Sequence, residues 1–435
     1  MERLEIGFAG VAMILVLIGI RVPIGVAMGS TAFFGIWAMM GFNPAVGIAK
    51  AVPFTLIGDW NLSAIPMFLF MGFVAVEAGL SKGLFGAARI FLARIPGGLA
   101  SSTVFASALF GAASGSSVAT SAAFSRIAVP EMLKGKYDPG LATGSVAAAG
   151  TLAALIPPSV LMIVYCLLVD TSINTVFMAG VVPGILTAVA FIGMITIRCM
   201  LNPNLAPRYT DTTSRAEKIR LLRDAWPLPV ITAIVMGGIF SGAFTATESG
   251  AVGAFLACLI AFIRGTMSFG LLKRSLIDTA VGTSAIFMIV VGAALFTRFV
   301  ALATIPTWVM TFFDGMSPTM VVVLICLILI LMGTFMEEIS IMLLTMPVLL
   351  PLLISLNIDL TWFGILVIKV MTIGLISPPV GMNVFVIKSS LGDKVTINQI
   401  FGGVSWFIAI EFVMLAVLIA WPQITLWLPN LMLAG

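Results

Sequence analysis

Histidine is absent from this 435-residue chain, and charged side chains make up only 9% of it. The commonest metal ligand and the usual near-neutral proton carrier are therefore both missing. Cysteine is scarce as well: Cys166, Cys199, Cys258 and Cys326 lie far apart, within or at the ends of apolar segments and without CxxC spacing. They are expected to pack as small hydrophobic residues. No GxxxxGK[ST] sequence occurs, so any work the chain does has to draw on an ion gradient or on another subunit. Serines abound, yet without histidine and without a membrane-buried lysine facing them a nucleophilic dyad lacks its base. The chain is expected not to be an enzyme and to carry no cofactor. A basic stripe with interleaved aromatics is also missing, so nucleic acid is not an expected partner.

What the chain has instead is apolar surface, with 60% hydrophobic residues and a mean hydropathy of +1.19. Many apolar runs reach the roughly 18 residues needed to cross a bilayer, which makes it an all-α polytopic membrane protein. The opening segment MERLEIGFAGVAMILVLIGIRVP lacks a basic leader region and a small-residue cleavage site, and is expected to be a retained first helix. The 22 basic residues, against 18 acidic, sit in a few loops and report orientation.

One stretch departs from simple spanning. Ser101 to Ser125 is long enough to cross, but Arg89 and Arg94 precede it and Arg126, Lys134 and Lys136 follow it. Positive flanks mark the cytoplasmic side, so a segment flanked at both ends must dip in and return. It is expected to be a re-entrant hairpin near 98–128, its tip GAASGSS at Gly111 to Ser117 lying near mid-membrane, where non-helical backbone survives only against protein or a water-filled cavity.

Prolines reveal a duplication. Pro130, Pro157 and Pro158 recur as Pro351, Pro378 and Pro379, each 221 residues later. A first repeat over 1–200, with a broken helix near 140–165, is expected to be joined by a cytoplasmic amphipathic linker at 201–227 to a second repeat over 228–435. The linker holds Arg208, Arg215, Lys218, Arg220 and Arg223. The second repeat is expected to contain a hairpin near 317–356 and a broken helix near 361–388. Asp314 and Asp359 bound its hairpin with no lysine or arginine nearby, so it should enter from outside, making the repeat inverted. Both termini then fall outside. Segments 45–58 and 265–279 are expected to lie along the surface as amphipathic arms.

The hairpin tips and helix breaks are where a solute or ion is expected. Ser114, Gly115, Ser116, Ser117 and Thr120 supply hydroxyl and carbonyl oxygens suited to a hard cation such as sodium. Close helix packing by small residues is the competing explanation. Facing them would be Gly150, Thr151, Pro157 and Ser159, since a proline pair frees carbonyls that need another partner. The second site would set Gly333, Thr334 and Glu337 against Gly374, Ser377, Pro378 and Gly381. Ser116, Thr120, Glu337 and Asn383 are candidates for contact with the solute. Glu337 and Glu338 point about 100° apart on a helix, so one is expected to serve the helix end, and Glu337 is favoured as the functional one. Arg298 is the candidate for an anionic group, with snorkelling to the interface as its alternative. Glu248, in TATESG, should cap a helix start.

Six stretches together carry a resemblance that covers the whole chain: RVPIGVAMG, GAASGSSVAT, LIPPSVLMIVY, TESGAVGAF, GTFMEEISIMLLTMPVLLPL and ISPPVGMNVFV. The chain resembles the large membrane subunit of TRAP transporters, the tripartite ATP-independent periplasmic family. The resemblance implies an elevator-type carrier of the ion transporter superfamily, driven by sodium as coupling ion, in the bacterial inner membrane. It implies import of a small organic acid delivered by a periplasmic substrate-binding protein, together with a separate four-helix small subunit, which is not expected to be fused here. Family members often have Asp-Pro where this chain has Glu337-Glu338, a departure that bears on the substrate. The alternative is a stand-alone sodium- or proton-coupled organic-anion symporter or antiporter.

Overall fold

The computed structural model of the chain describes residues 2–207 and 214–433, so Arg208 of the linker lies outside the described residues. Among them no strand occurs. The chain opens with α1 (Arg3–Gly19), α2 (Ile24–Met40) and α3 (Phe42–Ile57). A 3₁₀ turn leads into α4 (Ala64–Glu77), followed by α5 (Lys82–Leu92). The first hairpin is α6 (Gly98–Ser114) and α7 (Ser117–Lys134), and the first broken helix is α8 (Pro139–Leu155) with α9 (Val160–Val169). The long α10 (Ile173–Leu201) and the linker helix α11 (Arg215–Ala225) complete the first half.

The second half starts with α12 (Pro227–Phe240), α13 (Ala246–Ile263), α14 (Phe269–Leu302) and α15 (Ile305–Phe312). Its hairpin is α16 (Pro318–Gly333) and α17 (Glu338–Ser355), and its broken helix is α18 (Leu360–Ile376) with α19 (Met382–Leu391). Helices α20 (Ile397–Ala420) and α21 (Gln423–Leu433) close the chain. Six helices are long and apolar enough to cross a membrane, or seven if the α8–α9 pair, bent by 42°, counts as one span. The protein is multi-pass.

The 221-residue offset holds at the level of elements: α7 and α17 begin and end that far apart, and so do α8 and α18. The caps recur at the same offset. Asp138 accepts from the Leu141 amide at 2.9 Å and Asp359 from the Trp362 amide at 2.8 Å, each holding the start of a broken helix. Both proline pairs are cis and stand between the halves of those helices.

Burial separates two groups of helices. Every residue of α8 from Gly140 to Leu155 and of α18 from Trp362 to Ile376 is buried, as expected of helices apolar on all sides. The α8 helix touches α6, α7 and α20, while α18 touches α16 and α20. Glycines allow the close approaches: a Cβ on Gly111 would stand 2.6 Å from the Ala153 Cα, and one on Gly374 would stand 2.5 Å from the Gly333 Cα. Outside this inner group, α2 packs on α14 and α4 on α13 and α14. Phe255, Phe262, Leu327 and Leu331 are exposed large apolar side chains, the surface a lipid bilayer covers.

Two expectations need correction. The 265–279 arm is not a separate element, because Ser268 caps a single 34-residue helix α14 that runs through it, and no proline or turn interrupts the run. The first hairpin turns at Gly115–Ser116, later than the start of the GAASGSS tip, since Gly111 to Ser114 remain helical. The short helices α5 and α15, and α21 at the end, were not resolved by counting apolar spans.

Candidate functional site

The first hairpin ends where α6 runs into Gly115, whose φ of +62° makes the turn that glycine allows most readily. Ser116 then caps α7 by accepting from the Ala119 amide at 3.3 Å. The Ser114 and Thr120 hydroxyls bond each other at 3.0 Å across the turn. This tip lies against the break between α8 and α9: a Cβ on Gly115 would be 3.4 Å from the Val160 amide nitrogen and 3.6 Å from the Pro158 carbonyl oxygen. Behind it, a Cβ on Gly150 would strike the Ser121 hydroxyl and lie 3.1 Å from the Ser117 carbonyl. Ser117, Ser121 and Ser159 are fully enclosed, and their hydroxyls have no hydrogen-bond partner among the described residues. Ser114 to Ser117 are thus brought to the break that holds Pro157 and Ser159, in surroundings rich in unused oxygens. Thr151 is directed elsewhere, its hydroxyl donating to the Ala148 carbonyl at 2.6 Å and reaching Glu411 at 3.5 Å.

The second tip repeats the arrangement with different chemistry. Gly333 meets Gly374 backbone to backbone, and Thr334 turns its hydroxyl onto the Leu331 carbonyl at 2.8 Å. Ser377 donates to the Ile373 carbonyl at 2.7 Å, and Gly381, at φ +60°, starts α19. Pro157 to Ser159 are buried, whereas Pro378 to Val380 are exposed. The second break is therefore the open one.

The two adjacent carboxylates have separate roles. Glu337 is the N-cap of α17 and accepts from the Ser340 amide at 3.3 Å and the Ser340 hydroxyl at 3.1 Å. Glu338 is the first residue of α17. It is partly exposed as a whole, yet one of its carboxylate oxygens is fully enclosed and has no partner among the described residues. Asn383 is enclosed on α19, which packs on α7 and α8, and donates to the Ala147 carbonyl at 3.4 Å while its Oδ1 stays unpartnered. Arg298 is not part of this group. It is exposed on α14, with no ion pair to either carboxylate among the described residues.

Glu248 caps α13 through a reciprocal pair with Thr245, donor and acceptor in both directions. The four cysteines are free.

One constellation was missed from sequence. Lys369 of α18 and Glu411 of α20, each about 1% exposed, form an ion pair. Lys369 also donates to the Thr187 hydroxyl of α10 at 2.9 Å, and Glu411 is the carboxylate that Thr151 of α8 reaches. Four helices therefore meet at one enclosed polar knot. The signal was present: each charge interrupts a long apolar run, in LVIKVMTIG and FIAIEFVML, and a lone charge in such a run needs a partner. In the first repeat the corresponding positions are Ala148 and Ala190.

Comparison with known proteins agrees with this architecture. The family model for "Tripartite ATP-independent periplasmic transporter, DctM component" matches residues 11–424. A Pseudomonas aeruginosa C4-dicarboxylate TRAP transporter large permease protein DctM is 35% identical, with 85% of this chain and 86% of that one covered. A Vibrio cholerae sialic acid TRAP transporter large permease protein SiaM is 31% identical over 94% of this chain and 96% of the other. An isethionate TRAP transporter permease protein DctMQ from Oleidesulfovibrio alaskensis is 31% identical over 91% of this chain but 61% of its own length. Among solved structures, the Alcanivorax borkumensis YdaH transporter superposes with a TM-score of 0.62 at 14% identity, covering 96% and 98% of the two chains. That similarity concerns the fold.

Proposed function

This chain belongs to the DctM component family of tripartite ATP-independent periplasmic transporters, and from that premise we propose that it imports a small organic acid by sodium-coupled elevator movement. It is the large permease subunit of a transporter, not an enzyme. The observation that carries the proposal is that each hairpin packs on a proline-interrupted helix: the Gly115 turn lies against the Pro158–Val160 break, and Gly333 meets Gly374 near the end of α18. Such breaks offer freed carbonyls and half-helix ends for ions and for carboxylates. Sodium would be held by oxygens of Ser114 to Ser117 with the Pro157–Ser159 break, and by those of Gly333 to Glu337 with Gly374, Ser377, Pro378 and Gly381. Solute would lie between the tips, in reach of Ser116, Thr120 and Asn383.

The inner group of α6–α9 and α16–α19 would move as a body against α2, α4, α13 and α14. A periplasmic substrate-binding protein would deliver the acid, and a small four-helix membrane subunit would complete the complex in the bacterial inner membrane, with both termini of this chain periplasmic. The relatives named for C4-dicarboxylates, sialic acid and isethionate support an acid as cargo.

Reconstitution tests the reading. The purified complex in liposomes should accumulate an acid only with an inward sodium gradient and the loaded binding protein, and Ser116→Ala should raise the sodium concentration required. Uptake that follows a pH gradient in sodium-free buffer would instead favour the proton-coupled alternative, with Glu337 or Glu338 as carrier.

A further inference from the structure

Between α1 and the second hairpin the packing leaves a gap. Helices α14 and α15 each touch both α1 and α17, and together with α16 they enclose a cavity of about 250 Å³. Val11 and Ile14 of α1 line one side, Ile325 and Leu329 of α16 with Leu344 and Val348 of α17 the other. Among the lining residues only Thr345 has a polar side chain, and its hydroxyl is spent on the Ile341 carbonyl at 2.8 Å. Segments 6–20, 318–336 and 339–356 carry no charged residue.

Water is a poor occupant of such a space. A buried water needs about two to four polar partners, whereas an apolar cavity of ~150 Å³ stays dry and takes up a benzene ring. Emptiness is no better, because protein interiors are close-packed and a void forfeits contacts along its whole lining. The cavity is open to the outside: Leu15 and Ile328 both line it and are exposed, by 60% and 52%. Ile328 lies beside Leu327 and Leu331 on α16, exposed by 53% and 65%, so the opening continues the apolar surface that the bilayer covers. Lipid tails are as apolar as leucine side chains, and what draws a tail inward is therefore the packing of an otherwise empty space. An α-helix with its side chains is about 10–12 Å across. A helix of a partner subunit would fill the cavity only with side-chain tips, while an acyl chain enters along its length.

We propose that this groove is a binding site for one acyl chain of a membrane phospholipid, inserted between α1 and the second hairpin. The tail end would rest on Ile325 and Leu329, each about 1% exposed and beyond the reach of a lipid that lies along the surface. The site depends on the protein spanning a bilayer, not on the cargo or the coupling ion.

Photolabelling tests this. Full-length protein is placed in liposomes of phosphatidylethanolamine and phosphatidylglycerol, with a trace of phosphatidylethanolamine that carries a diazirine at the end of one acyl chain. After irradiation the labelled residues are mapped by mass spectrometry of peptides. Ile325 and Leu329 should carry label, and Leu343, enclosed on α17 but outside the groove, should not. Val348→Trp and Val11→Phe fill the groove from opposite walls. Each should remove the label from Ile325 and Leu329 and leave it on the exposed Phe255 and Phe262, and either variant suffices if the other folds poorly. Label confined to exposed residues would overturn the proposal, as would equal label on Leu343 or label that persists at Ile325 in a folded filled variant. Label lost on assembly with the small membrane subunit would assign the groove to that partner instead.

Discussion

Removing Lys369 should be among the most damaging single changes in the inner helices. Lys369 and Glu411 are each about 1% exposed. Lys369→Met would leave the Glu411 carboxylate with the Thr151 hydroxyl at 3.5 Å as its nearest remaining hydrogen-bond partner. Breaking a buried pair from one side typically costs about 3–5 kcal/mol, because an uncompensated charge stays out of water. That corresponds to roughly two to four orders of magnitude in the unfolding equilibrium. Glu411→Leu should cost a similar amount, leaving the ammonium with the Thr187 hydroxyl alone. The double variant Lys369→Met/Glu411→Leu removes both charges at similar volume and should return to within ~1 kcal/mol of the parent, or exceed it. Denaturant titration in detergent micelles, followed by tryptophan fluorescence, gives all four corners of the cycle. Single variants within ~1 kcal/mol of the parent, or a double variant as unstable as the sum of the singles, would refute the picture of a desolvated pair.

Cysteines placed at Lys134 and Asp359 on a background without the native cysteines should be labelled from opposite sides of the membrane; labelling from one side would end the inverted-repeat assignment. Gly374→Ala should destabilise by about 1–3 kcal/mol in the same unfolding assay, since its methyl meets the Gly333 backbone, while Gly402→Ala, with nothing within 4 Å, should be neutral or mildly stabilising. Arg298→Ala should leave the apparent affinity for substrate in the liposome uptake assay within about threefold of the parent, a shift smaller than one charge-assisted hydrogen bond would give; a hundredfold loss would return this exposed arginine to the solute path.

The features legible in the sequence were those with a covalent or a long-range hydrophobic cause. Apolar runs showed the membrane class, and prolines, which cannot continue a helix whatever surrounds them, located both breaks and the 221-residue repeat. Asp138 and Asp359 sit immediately before the broken helices and cap them, a role not assigned from sequence. Less legible were properties that depend on which face a residue presents. Arg298 and Lys369 each lie in an apolar run, yet one is exposed and the other enclosed. Only the packing of α18 on α20 and α10 creates a partner for the second. The choice between Glu337 and Glu338 likewise turned on the exact start of α17, because the N-cap position consumes a carboxylate and the next position releases one. The repeat, read as symmetry, suggests two similar sites, but its substitutions break that symmetry at the places where charge enters. Serines are replaced by glutamates at one tip, and alanines by a lysine and a glutamate in the helices behind it. The two copies of one backbone therefore differ in charge where their helices start and where they pack, so symmetry of the fold does not carry over to symmetry of chemistry.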